Sequence, residues 1–303
     1  MLNKINKIYV KERYKICESI FNIFKCNCIP YAVVKGAVLS KMAYGDIYHR
    51  KSSDIDILIR HKDIDIIKQI MLENNFIQGY LTNEGLIPYT RSELVFQTAN
   101  SHQMAPFIKK TNNPLHPYVN VDINFDIIWG ESKLKSDMDY VLSHIDFIEI
   151  CGITVNKLSP EMEFIALCLH HYKDMNSIYM LSRGSLTKDL FDDIYNYLKN
   201  VKLNKENLLK LCNYLNIIKY VYYCIYYTNK LFNDSFFYEY IELLYIDGVE
   251  DILNTYGLAY NEIKEWDFSF HDRLHNLNIN DYFNTHLSKN ELEKIRINNV
   301  FMN

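Results

Sequence analysis

The amino-acid sequence predicts an α/β (α+β) protein: a mixed sheet flanked by helices over residues 1–157, followed by a mainly helical region over 158–303. Three observations carry this expectation. Short apolar strands and helical stretches succeed one another in the first half. The run Tyr118 to Trp129 alternates polar and apolar residues with the period of a half-buried strand. Beyond Ser159 almost every segment carries apolar residues at three- and four-residue steps.

Taken in order, residues 4–26 space Ile5, Ile8, Ile16, Ile20, Ile23 and Phe24 as one face of an amphipathic helix, and Pro30 separates it from a strand at Tyr31 to Val34. A Lys35-Gly36 turn opens a helix containing Val38, Leu39, Met42 and Ala43, with Gly45 as its C-cap. A polar loop, Asp46 to Ser53, feeds the strand Asp54 to Ile59, and a helix follows at about 62–74. Phe76 starts a strand near Gly79, and Leu94-Val95-Phe96 reads as a strand among Pro106, Pro114 and Pro117. Strands around 145–150 and 153–155 turn at Cys151-Gly152. Ser159, Pro160 and Glu161 then supply N-cap, first-turn proline and first-turn acid for a helix. Further helices are expected at about 160–174, 186–200, 205–213, 216–231 and 236–254.

Composition narrows the function classes. At 303 residues and 49% hydrophobic content the chain can bury a full core, and a net charge of -4 without a sustained basic run disfavours a nucleic-acid groove. No window reaches the about eighteen apolar residues of a membrane span, and the charged N-terminus lacks a signal-peptide core, so a cytoplasmic location is expected. The seven cysteines are scattered without a CxxC pair and read as small hydrophobes. The tyrosine-rich stretch Tyr220 to Tyr227 reads as core packing.

The chemistry-bearing residues gather around the Lys35-Gly36 turn and the strand after it. Asp54 and Asp56 project from one face of their strand while Ile55 and Ile57 go to the core. Asp122, on the polar face of the alternating strand, is the natural third carboxylate. Phosphoryl and nucleotidyl transfer asks a protein chiefly for positioning and charge neutralisation, and magnesium takes a few carboxylates plus phosphate oxygens. The expected cofactor is therefore Mg2+, as one or two ions held by Asp54, Asp56 and Asp122, with Asp122 also accepting the acceptor's proton. Gly36 lets the backbone approach phosphates at a helix N-terminus, and Lys35, Arg50 and Ser53 are candidate phosphate contacts.

These motifs, Val34-Lys35-Gly36-Ala37-Val38-Leu39, Arg50-Lys51-Ser52-Ser53-Asp54-Ile55-Asp56, Val121-Asp122-Ile123-Asn124 and Leu158-Ser159-Pro160-Glu161 with His170, resemble the uncharacterised nucleotidyltransferase family of the polymerase-beta-like superfamily. The resemblance covers roughly residues 30–200. It implies a nucleotidyltransferase-fold sheet carrying the metal triad, with helices of the C-terminal region closing the cleft. Asp193-Ile194-Tyr195 resembles a later family motif, which makes Asp193 a candidate nucleotide contact. Ala37 stands where the superfamily often has Ser, and Asn124 where the family has His.

The resulting expectation is a Mg-dependent nucleotidyltransferase that moves NMP, most simply AMP from ATP, to a hydroxyl of a small-molecule or macromolecular acceptor and releases pyrophosphate. Two alternatives stand beside it: a toxin of related type that modifies tRNA or protein, and a catalytically silent fold used as a binding module.

Overall fold

A computed structural model describes residues 2–99 and 101–301. The chain opens with helix α1 (Leu2–Cys26), strand β1 (Tyr31–Val34), helix α2 (Gly36–Tyr44) and strand β2 (Asp54–Ile59). Next come a 3-10 turn (His61–Asp63), α3 (Ile64–Glu73), β3 (Ile77–Thr82), β4 (Gly85–Pro88), α4 (Arg91–Ala99), β5 (Phe107–Lys110) and β6 (Tyr118–Asn124). Short α5 (Met138–Val141) precedes the hairpin β7 (Ile145–Ile150) and β8 (Ile153–Leu158). The remainder is α6 (Pro160–Asn176), α7 (Ile178–Leu181), α8 (Lys188–Asn200), α9 (Lys205–Tyr214), α10 (Ile218–Phe232) and α11 (Tyr238–Leu244). It closes with a two-residue strand pair, β9 (Thr255–Tyr256) and β10 (Lys264–Glu265), then α12 (Phe270–His275), α13 (Ile279–His286) and α14 (Lys289–Phe301).

Six strands form one mixed sheet in the order β1-β2-β6-β5-β3-β4. β2 and β6 run parallel, and the other neighbours in this sheet are antiparallel. One face is covered by Val10, Tyr14, Cys17, Ile20, Phe21 and Phe24 of α1 and by Ile67, Ile70 and Met71 of α3. These pack on Val33, Ile55, Ile57, Val119, Val121 and Ile123 of the strands. Each such side chain, fully buried, contributes about 1.5–3 kcal/mol. Because strand side chains alternate, the odd-numbered positions of β2 and β6 enter this core and the even-numbered ones face the other way.

The chain divides into two compact units. The first holds residues up to Gly130, Leu134–Ala166 and Asn196–Asn204; the second holds Glu131–Lys133, Leu167–Tyr195 and residues from Lys205 onward. The second unit has its own core, in which Ile178, Leu181, Tyr256, Trp266, Tyr282 and Phe283 are buried together. Tyr222, Tyr223 and Tyr227 are buried as well, so the tyrosine-rich helix is packing surface.

Several local expectations change. Leu94-Val95-Phe96 lies in α4, not in a strand, because Thr90 and Glu93 form a capping box: Glu93 Oε2 accepts from the Thr90 N–H at 2.7 Å and Thr90 Oγ1 accepts from the Glu93 N–H at 3.4 Å. The alternating strand ends at Asn124 rather than Trp129, since the Phe125 N–H donates to the His102 carbonyl and Asp126 turns back to accept from the Ile128 N–H. The span 236–254 is interrupted where Tyr245 is extended and Gly248 adopts a left-handed conformation. α6 starts at Pro160 as expected, yet the Ser159 hydroxyl makes no hydrogen bond among the described residues. Cys26 and Cys28 are exposed, unlike buried Cys17, Cys168, Cys212 and Cys224.

Candidate functional site on the strand ends

The parallel pairing of β2 and β6 sets Asp54 opposite Asn120, Asp56 opposite Asp122 and Leu58 opposite Asn124. Paired residues of neighbouring strands share a face, so Asp54, Asp56, Asp122 and Asn124 all project from the face opposite the α1 core. Asp56 is buried, whereas Asp54 and Asp122 are half-buried. The Asn124 amide donates to Asp56 Oδ1 at 3.4 Å, so the residue standing in place of the family's His is tied to the second carboxylate.

The β1–α2 turn supplies the positive side. Lys35 Nζ donates to Asp56 Oδ1 at 2.9 Å. The Lys35 backbone lies in the left-handed region at φ 55, and Gly36 follows at φ 40. A Cβ on Gly36 would stand 3.2 Å from Ser52 Oγ. The positive φ favours glycine, and a side chain there would also press Ser52 Oγ back by a few tenths of an ångström. Ala37 is buried in the first turn of α2.

What holds β2 at its start comes from farther away. Arg13 of α1 is buried, and its Nη1 donates to the Asp54 carbonyl at 2.9 Å and to Ser52 Oγ at 3.2 Å. Ser52 Oγ lies 2.8 Å from the Asp54 carbonyl, and Ser53 Oγ donates to Asp54 Oδ2 at 3.1 Å. The loop before them is stapled by Asn6, whose amide donates to the carbonyls of Tyr48 at 2.8 Å and Arg50 at 3.2 Å. The Arg50 N–H donates to Ser40 Oγ at 3.0 Å.

The electrostatics suit a cation. Burial and the neighbouring Asp56 charge push the Asp54 carboxyl up, against the pull of Lys35, Ser53 and Arg13. A carboxylate held this way is short of positive charge, which is the demand a divalent ion with oxygen ligands meets. Burial, and after it Glu93, Tyr80 and Asp122, raises the Tyr89 hydroxyl, placing Tyr89 within the electrostatic reach of Asp122. Behind the turn, burial pushes the Glu163 carboxyl of α6 up to about 7; Lys157 and the backbone N–H groups of Leu158 and Lys35 draw it down.

The structure thus brings Lys35, Gly36, Ala37, Ser53, Asp54, Asp56 and Asp122 around β1, β2 and β6 in the first unit, with Arg50 in the loop that leads to them. Asp193 belongs to the second unit, where its buried Oδ2 stands 3.2 Å from His171 Nε2. Sequence reasoning missed Arg13, Ser52 and Glu163. Arg13 had a signal: it falls three residues after Val10 and four before Cys17, on the buried stripe of α1. In the second unit His170, His171 and Asp174 place ligand atoms within 4.8 Å of one another and could hold a metal ion.

A mixed sheet with this strand order, flanked by helices and followed by a helical region, is the nucleotidyltransferase fold. The chain belongs to the uncharacterised nucleotidyltransferase family, whose pattern matches residues 9–233. Among solved structures it is similar to an antigenic nucleotidyltransferase-like protein from Paracoccidioides brasiliensis, at 16% identity and a TM-score of 0.34, over 69% of this chain and 93% of that one. No curated protein matches it. No helix among the described residues is long and apolar enough to cross a membrane.

Proposed function

We propose that the chain is a Mg-dependent nucleotidyltransferase that transfers NMP, most simply AMP from ATP, to a hydroxyl of an acceptor and releases pyrophosphate. The observation that carries this reading is the register of β2 on β6, which puts Asp122 beside Asp56 on the polar face, next to the Lys35-Gly36 turn. Asp54, Asp56 and Asp122 would hold the magnesium. Bound there, the metal neutralises phosphate charge and orients the triphosphate.

The chain's own residues do the rest. Lys35, released from Asp56, and the Gly36 and Ala37 amides of the first turn of α2 bind phosphate oxygens. Ser53 and Arg50 extend that contact from the preceding loop. Asp122 accepts the proton of the acceptor hydroxyl as its oxygen bonds the α-phosphorus and the bond to the pyrophosphate oxygen breaks. Residues 1–157 carry this chemistry, and the helices of 158–303 select the acceptor. Seven free cysteines support a reducing, cytoplasmic setting.

The test is incubation of the full chain with each α-labelled NTP, magnesium and a cell extract, followed by mass analysis of what acquires the label. Labelling with ATP that disappears in Asp54→Asn and Asp56→Asn is the expected result. Undiminished labelling in either variant overturns the assignment.

A further inference from the structure

Helix α6 carries a second group of ligands whose chemistry differs from that of the strand carboxylates. His170 and Asp174 are one turn apart on α6, and His171 is three residues from Asp174, so both imidazoles can reach the same carboxylate. His170 Nε2 stands 3.4 Å from Asp174 Oδ2. All three residues offer a ligand atom within 4.8 Å of the others. Ligands of a tetrahedral ion stand roughly 3.4 Å apart, so the ligand atoms, all within 4.8 Å of one another, would have to approach by about 1.4 Å at most.

Two buried atoms point to a missing partner. His171 is 1% exposed and Asp174 8%, yet His171 Nδ1 and Asp174 Oδ1 have no hydrogen-bond partner among the described residues. Lys173 Nζ forms an ion pair with Asp174 Oδ1 at 3.9 Å, too long for a hydrogen bond. Buried polar atoms of this kind are ordinarily satisfied.

The other nitrogen of His171 is already engaged. His171 Nε2 stands 3.2 Å from Asp193 Oδ2, and Asp193 is 2% exposed. A carboxylate at that nitrogen keeps the proton on Nε2 and leaves the lone pair on Nδ1. This is the arrangement in which an outer carboxylate orients a metal-binding imidazole. His170 is partly exposed, which provides a route for an ion to enter.

We propose that His170, His171 and Asp174 form a metal centre for a zinc-class divalent transition ion, with Asp193 as the residue that orients His171. Two imidazole nitrogens and one carboxylate suit such an ion and suit magnesium poorly. The proposal is independent of the strand-end site, because it uses none of the residues gathered there, and it gives Asp193 an orienting role in place of the nucleotide contact expected from the sequence.

The test uses the full chain, stripped with a chelator, in a Cys26→Ser, Cys28→Ser background so that the two exposed thiols bind nothing. Co2+ is titrated while its visible ligand-field absorption is followed, and thermal unfolding is recorded with and without Zn2+. One equivalent of Co2+ with ligand-field bands, and a Tm raised by Zn2+, are expected. His170→Ala, at the partly exposed position, should abolish both. Asp193→Asn should weaken Co2+ affinity by about 10–100-fold, and Asp54→Asn should change neither. Absence of the bands, binding undiminished in His170→Ala, or loss in Asp54→Asn would each overturn the proposal, whatever the outcome of nucleotide labelling.

Discussion

Lys35 Nζ donates to Asp56 Oδ1 at 2.9 Å, so an ammonium neutralises the carboxylate at the centre of the polar face. If Asp56 binds magnesium, lysine and metal compete for the same oxygen. Lys35→Met then leaves Asp56 buried without its counter-charge and should destabilise the protein by about 2–4 kcal/mol. Millimolar Mg2+ should restore part of that loss in the variant and little in the parent. Thermal unfolding of both proteins, with and without Mg2+, checks this; a variant indifferent to Mg2+ would remove the metal from these carboxylates.

Asp54 is strained electrostatically, since burial and Asp56 both disfavour its charge. Its folded value is raised, so the unfolded chain holds fewer protons than the folded one as pH rises above 3.8, and the residue costs stability from there upward. Asp54→Asn should therefore unfold at the same or a higher temperature at pH 8, while transfer falls by about a thousandfold or more. Calorimetry and initial rates read the two effects separately.

Glu163 lies behind the phosphate-facing turn and gives a sharper pH signature. Its folded value is about 7 against an ordinary 4.5, so the folded state retains its proton across that window while the unfolded chain loses it. Stability contributed by the neutral acid is complete below 4.5 and is lost as pH rises through 7. The amount is on the order of 3 kcal/mol. The stability of Glu163→Gln relative to the parent should increase across the same interval and level off above it. Denaturant titrations of both proteins at several pH values measure that difference; a constant gap would contradict the buried-acid assignment.

Arg13 is the long-range brace of the site. Arg13→Ala removes the donors to the Asp54 carbonyl and Ser52 Oγ, and should cost about 2–4 kcal/mol and lower transfer. Arg13→Lys should recover only part of both, because lysine lacks the planar guanidinium and the Nε that donates to the Tyr9 carbonyl at 3.2 Å. Denaturation midpoints together with initial rates check the ordering parent, Lys, Ala.

The period-two alternation of Val119, Val121 and Ile123 marked β6 and its polar face, and the Lys35-Gly36 pair marked the turn, because both are local patterns. The positive φ of both Cys151 and Gly152 accords with a tight hairpin where the sequence placed one. Other features lay beyond local pattern. α4 was hidden by the β-prone triplet Leu94-Val95-Phe96, although Thr90 and Glu93 announce its start. The interrupted helix after Asp234 and the small strand pair near Trp266 depend on tertiary packing. Arg13, Ser52 and Glu163 act through partners far along the chain, which spacing alone does not reveal.

Among the described residues the pairing of β2 with β6 is the single parallel one, and it joins residues as distant as Asp56 and Asn124, 68 positions apart. Non-local pairing of this kind is intrinsically slow to form, since loop-closure entropy must be met before the contact rewards it. A nascent chain that has emerged only as far as β5 displays Asp54 and Asp56 but lacks Asp122. Under the proposed function, synthesis itself would then act as a safety catch, since a ribosome-bound fragment carries only two of the three acidic residues.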